Sequence, residues 1–598
     1  MIDCWPASGR FFPSAMAGPM APWLLLIALA SPGPAAPQTV VNVGATVQVP
    51  LLSGSLGTLV MDGGTLAFYA QGQAQDISAT DSILKRGFIR TDFSQGGVVL
   101  NLLGTTTVPG PRGSGTFPAT GMYLGASPFD AHLDIVNRGT LIQSNNGYID
   151  LLGGVRLVNG PSASYIIDSE DAMRATGDDA LFLNLAGATL WNRRDSPFIN
   201  SYLDVRIEQQ GGTVKVSAGQ FWLYRGGSHA NATLIVEESV AQNRLSSLVL
   251  NGTHDFNTVE TVSNGSRASM VLASGASINV NSVTWTQRGD FQANGLINVV
   301  SAAALLNRGS LRVETGLRIA AGGVLENHGV IEHGTVFGSG RLVNETAGRF
   351  ESETLPEYDP RTNALLGALS VENLGTFVVG AQQSVYVNSF VNHAGILTVN
   401  GVLTNTGNGR LSLLGGVLNG NGTINGDVFV GGGSGVAQFR PGASPGTFVV
   451  NGDLSLLPGG EFDLEVQASG GYIFFDQIRV TGRLALNGRV NIIVGPGVSF
   501  ADLAGIGLFD LQGGALIEYG SNFAWAFPGR PDSFLVATPQ GLRILALGPL
   551  VAVPEPAVAA MLLLGWVAVW LAVTRGAGGA GGIQSPWNTG FCRAAKAW

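Results

Sequence analysis

The chain has 598 residues, of which 86 are glycine, roughly twice the usual share, while charged residues make up 12%, about half the usual share. A mean hydropathy of +0.26, with many Val, Ile, Leu and Thr, excludes a disordered chain. The formal charge of −9 comes without any basic patch interleaved with aromatics, which argues against nucleic acid as a partner.

At the N-terminus, the apolar run from Trp23 to Ala30 is too short to span a bilayer but suits the core of a signal peptide. Ala28-Leu29-Ala30 offers a cleavage site, and residues 1–36 are assigned to the signal peptide. The two cysteines, Cys4 and Cys592, lie at opposite extremes, so the body carries none and must rely on a large core.

Through residues 37–439 a phrase recurs: Asn, one or two residues, Gly, then alternating apolar positions. It stands at Asn137-Arg138-Gly139, Asn307-Arg308-Gly309, Asn327-His328-Gly329, Asn373-Leu374-Gly375 and Asn392-His393-Ala394-Gly395, with a weaker copy at Asn405-Thr406-Gly407. Asn and Gly tolerate left-handed backbone angles, so each phrase marks a turn, and the alternation after it marks a strand. One turn and strand per ~20 residues cannot bury its own apolar face, whereas stacked units can. The expectation is an all-β protein: a right-handed parallel β-helix whose turn asparagines hydrogen-bond along the stack. A string of antiparallel sandwiches is the alternative. Short helices are expected only at Ser169 to Arg174 and Glu237 to Arg244.

Chemistry-bearing motifs are sparse. An acidic cluster, Asp168-Ser169-Glu170-Asp171 with Asp178-Asp179, reads as a solvated loop, as a Ca²⁺ site, or as the carboxylates of a polysaccharide hydrolase. Gly442-Ala443-Ser444-Pro445-Gly446 has the form of a nucleophile elbow, but Pro445 lacks the N–H such an elbow needs. His328 and His393, beside turn asparagines, are expected in solvent. Trp191, Trp222, Tyr224 and Trp285 are expected as buried stacks, with sugar-stacking platforms as the alternative. No cofactor, no metal and no catalytic residue is assigned.

From Leu413 to Gly482 the chain is dense in Asn-Gly and carries Pro441-Gly442-Ala443-Ser444-Pro445-Gly446-Thr447. This succession resembles the end of the passenger region in autotransporter-like and filamentous-adhesin proteins. That resemblance implies a closing β-cap over 440–550.

At the C-terminus, Val553-Pro554-Glu555-Pro556 precedes Ala557 to Thr574, 18 residues without a charge, and Arg575 follows. The span reaches the lower limit of ~17–25 residues for a membrane helix, and the basic residues beyond it favour a cytoplasmic tail, 576–598. The prolines keep the motif extended and accessible. Val-Pro-Glu-Pro, a short span and an Arg over 551–575 resemble the PEP-CTERM sorting signal of Gram-negative bacteria. The resemblance implies processing by an exosortase and delivery to the cell surface or extracellular matrix. The expected protein is therefore an exported, adhesin-like, non-catalytic one that binds extracellular polysaccharide or like surface proteins. A β-helical polysaccharide lyase or hydrolase is one alternative. A permanently membrane-anchored surface protein is the other.

Overall fold

The computed structural model describes residues 24–26 and most of 38–546; the longer stretches it leaves out within that span are 111–121, 126–132 and 353–368. Nearly every described element is a short strand, and almost all neighbouring strands are parallel. Three ladders run side by side. In one, Thr140–Ser144 pairs with Ser164–Asp168, then Thr189–Asn192, then Thr213–Val216. In the second, Leu133–Asn137 is followed by Arg156–Asn159, Leu181–Leu185 and Arg206–Gln210. In the third, Met122–Gly125 is followed by Ile149–Leu152, Asp171–Thr176, Ser201–Asp204 and Gly219–Leu223. Each coil contributes one strand to each ladder, which makes the chain a parallel β-solenoid.

Strand alternation builds the core. Val, Leu, Ile and Phe face inward at every second position, as in Ala304–Asn307, where Leu305 and Asn307 are buried and their neighbours are not. Aromatic rings stack between coils. Phe350 lies on Phe377 at 4.6 Å, and Trp285 meets Phe256 and Phe291 edge-on at 5.2 Å each.

The Asn-x-Gly phrase has a clear physical basis. Asn307, Asn327, Asn344, Asn373 and Asn392 are fully buried and form one side-chain ladder. Each Nδ2 donates to the next Oδ1, at 2.7, 2.8, 2.7 and 2.6 Å across steps of 20, 17, 29 and 19 residues. A second ladder runs Asn137, Asn159, Asn184. The Oδ1 of Asn327 also accepts the N–H of Gly329 at 3.3 Å, which fixes the turn. Gly309, Gly329 and Gly395 do not adopt the expected left-handed angles. They are needed because coils approach closely there. A Cβ on Gly329 would lie 2.1 Å from the Gly309 carbonyl oxygen, and one on Gly395 would lie 1.9 Å from that of Gly375.

One further expectation is corrected. The helix expected at Ser169 to Arg174 is a strand, Asp171–Thr176, held between Ile149–Leu152 and Ser201–Asp204. Glu237 ends the strand Gly227–Glu237, and 240–244 lie outside the described residues. Among the described residues the one helical stretch is Phe500–Leu503, a single turn. The parallel ladders also cross residue 440 without a break: Ala437–Pro441 pairs with Gly460–Ser469, that with Arg489–Val494, and that with Ala524–Ala526. The far end carries an antiparallel hairpin, Ser533–Thr538 with Gly541–Ala546. It sits so close to the last coil that a Cβ on Gly541 would lie 1.8 Å from the Phe509 carbonyl oxygen.

Of the N-terminal segment, only Leu24–Leu26 is described, as a strand in parallel register with Thr46–Val49. Val553, Pro554, Glu555, Pro556, the 557–574 span and Arg575 lie outside the described residues. Among the described residues no helix is long and apolar enough to cross a membrane.

Candidate functional site

The third ladder places one file of side chains on the outside of the solenoid, one per coil. Register puts Phe88 beside Tyr123, Tyr123 beside Asp150, Asp150 beside Arg174, and Arg174 beside Asp204. At a strand spacing of ~4.8 Å, four steps cover about 19 Å. The contacts are continuous. Phe88, exposed on its outer side, stacks on Tyr123 with ring centroids 4.8 Å apart. The Tyr123 and Tyr148 hydroxyls share a hydrogen bond of 2.7 Å. The Arg174 guanidinium lies over the Tyr148 ring at 4.9 Å and 3.9 Å from the Asp150 carboxylate.

Arg225 closes the far end. It donates to Asp204 at 2.7 Å, lies 3.8 Å from Asp178, and donates to the carbonyls of Gly177 and Ala175 at 3.0 and 2.8 Å. Tyr202 and Trp222 sit on the adjacent row with centroids 6.4 Å apart, and Tyr224 is exposed just beyond. Burial pushes the Asp150 carboxyl up from the usual range, against the pull of Arg174 and the Thr176 hydroxyl. Burial and the Tyr123 bond push the Tyr148 hydroxyl up as well, so it stays protonated and able to donate. The strip thus offers the exposed parts of its aromatic rings, hydroxyls and paired charges.

Among the described side chains of the acidic residues singled out in the sequence, only Asp178 joins this strip, and the Asp171 side chain lies outside the described residues. Asp168 lies 3.8 Å from Arg193, Asp179 stands in an exposed turn, and Glu170 lies outside the described residues. Among the described residues no three His, Cys, Asp or Glu side chains are grouped to hold a metal ion. His328 and His393 are partly exposed, each 4.0 Å from a glutamate. Ser444 lies outside the described residues, while Gly446 donates its N–H to Asp476. Trp285 is buried, with its Nε1 donating to Thr261 at 2.9 Å. Trp191 is half-buried under Lys215, 5.4 Å away.

An open cleft of about 420 Å³ on another ladder is lined by Gly54, Asp76, Ser78, Asn101, Leu103 and Arg138. Its polar groups bond one another: Asn101 donates to Asp76, and Arg138 donates to Asn101.

A buried histidine pair escaped the sequence reading. His229 and His254 are fully buried and stacked at 5.2 Å. His229 Nε2 and His254 Nδ1 are 2.9 Å apart, and the outer nitrogens face Gln209 Oε1 at 2.5 Å and the Asn251 carbonyl at 3.1 Å. Three ring protons would satisfy that arrangement and make the pair cationic. Burial opposes the charge, holding His254 down at about 4 and His229 well below the usual value. With two protons, His254 donates to Asn251 and His229 to His254, and only a flipped Gln209 amide, at the loss of its 3.3 Å bond to the Gly212 carbonyl, can then donate to His229.

The fold and the strip together define a parallel β-solenoid with an aromatic and charged file along its outer face. No known protein family and no curated protein matches the chain.

Proposed function

We propose that this chain is an exported, adhesin-like surface or matrix protein that binds polysaccharide or like surface proteins without catalysis. The observation that carries the reading is one uninterrupted solenoid with parallel strands from residue 39 to residue 526. Such a rod is stiff, and its repeated coils offer an extended surface for many weak contacts. Its charges are largely paired on that surface, as in Arg156 with Asp134 and Arg341 with Glu372. In this reading the solenoid is right-handed, as parallel crossovers generally are. Residues 1–36 direct export. Val553, Pro554, Glu555 and Pro556 are presented to an exosortase, 557–574 cross the membrane until processing, and Arg575 stays on the cytoplasmic side.

The test is fractionation of cells making the full chain, with mass spectrometry of its C-terminal peptide. The expected product lies at the cell surface or in the medium and ends near Pro554–Pro556. Recovery of peptides through Trp598 from inner-membrane pellets alone would defeat the sorting model.

A further inference from the structure

We infer that the outer strip from Phe88 to Arg225 is a binding site for an uncharged polysaccharide chain lying along the solenoid axis. This rests on the polysaccharide-binding reading above and gives it a place and a chemical class. Three observations carry it.

The first is the file itself. Phe88, Tyr123 and Tyr148 are linked ring to ring on an outer face, where packing of the core does not require them. Phe88 is 44% exposed and Tyr224 47% exposed, so aromatic surface stands open at both ends of the strip. A pyranose ring presents C–H groups on its faces and hydroxyls at its edge. The exposed aromatic surface of Phe88 and Tyr224 beside polar groups complements both at once.

The second is the electrical balance. Asp150, Asp178 and Asp204 are set against Arg174 and Arg225. The carboxylates and guanidiniums are paired with one another, so the strip presents no block of a single sign with which to attract an acidic or basic chain. An Arg carries five N–H donors and a carboxylate about four acceptor sites. The pairs therefore keep capacity for neutral hydroxyls.

The third is preorganisation. The Tyr148 ring is held by Tyr123 on one side and Arg174 on the other. Arg225 is fixed by two backbone carbonyls as well as Asp204. A ligand meeting side chains already held in place loses less to ordering them.

The experiment measures retention of the full chain, in mild detergent, on beads carrying glucomannan (uncharged) or alginate (anionic). The wild type should bind glucomannan and not alginate. Phe88→Ala, Tyr148→Ala and Arg174→Ala should each weaken retention by roughly five- to tenfold. Tyr148→Phe, which loses only the hydroxyl bond, should weaken it by less. Tyr472→Ala, on the distant exposed hairpin of Tyr472–Phe475, should match the wild type, and circular dichroism should show every variant folded. Glucomannan binding unchanged in the three alanine variants would overturn this site while leaving polysaccharide binding intact. Binding to alginate alone would overturn the uncharged class. Binding to neither, extended over a panel of neutral and acidic polysaccharides, would overturn the polysaccharide reading itself.

Discussion

Asn327 shows how much one side chain can carry in a stack. Its Oδ1 accepts from Asn307 and from the Gly329 N–H, and its Nδ2 donates to Asn344 and to the Arg349 carbonyl. Alanine would leave several buried polar groups short of partners, each costing ~1–3 kcal/mol. Asn327→Ala should therefore destabilise its coils by about 3 kcal/mol or more, read as faster amide exchange in Ala304–Asn307 and Val324–Asn327. An exchange profile like the wild type would refute this. His229 and His254 add a pH dependence. Unfolded, both rings take up protons below about 6.5, whereas folded, they resist until much lower pH. Their stabilising contribution is thus complete above pH 6.5 and is lost as pH falls through about 4. For His254 alone the loss approaches roughly 3 kcal/mol. Local opening of Gly227–Glu237 and Thr253–Asn264 should accelerate between pH 6.5 and 4. In a His229→Leu, His254→Leu double variant that acceleration should disappear.

At the scale of the element, the Pro441–Thr447 turn is governed by a residue far from it in sequence. Asp476 is almost fully buried and accepts the N–H groups of Gly446 and Glu465, both at 2.8 Å. Burial nevertheless raises its carboxyl to about 6. A raised carboxyl acts with the opposite sign to the histidines, because the folded state binds this proton more tightly than the unfolded one. Its effect on stability improves as pH falls from about 6 to about 4. Asp476→Asn should remove that gain. Urea titrations at pH 7 and 4.5 should then show the variant losing relatively more stability on acidification than the wild type.

The same elements show what could be read from sequence alone. Asn137, Asn307, Asn327, Asn373 and Asn392 were legible because a glycine follows each at short range. Asn184, with Gly187 three residues on, has the same spacing as Asn392 and Gly395 and was overlooked, while Asn159, followed at once by Gly160, and Asn344, with Gly348 four residues on, fall outside the phrase and are revealed only by the neighbouring coils. Strand Asp171–Thr176 looked helical because its locally charged composition hides the ladder partners on both sides. The outer strip gave no local signal. Phe88, Tyr123, Asp150, Arg174 and Asp204 fall into register only after loops of unequal length are folded away. Asp178 was singled out beforehand for a different chemistry, and Trp222 and Tyr224 only as isolated aromatics, with nothing to place them beside the rest.

At the scale of the whole molecule, each coil touches chiefly its neighbours, so stability is approximately a sum over coils and interfaces. Amide exchange should be slowest in the middle coils spanned by the asparagine ladders and faster toward both ends, where a coil has a partner on one side only. Uniform protection along the chain would contradict this. The ladders also have a direction. From Asn307 to Asn373 every amide donates to the asparagine one coil later, and Asn392, at the end, donates to the carbonyl of Gly415. A partly folded stack therefore ends toward the C-terminus in an amide N–H without its next-coil acceptor, and toward the N-terminus in a side-chain oxygen that holds only the glycine N–H of its own turn and has an acceptor site open. The two growing faces are chemically unlike. A chain that emerges N-terminus first always offers the donor face to the segment arriving next, so the side chains act as a one-way template on which coils are laid down in the order of delivery.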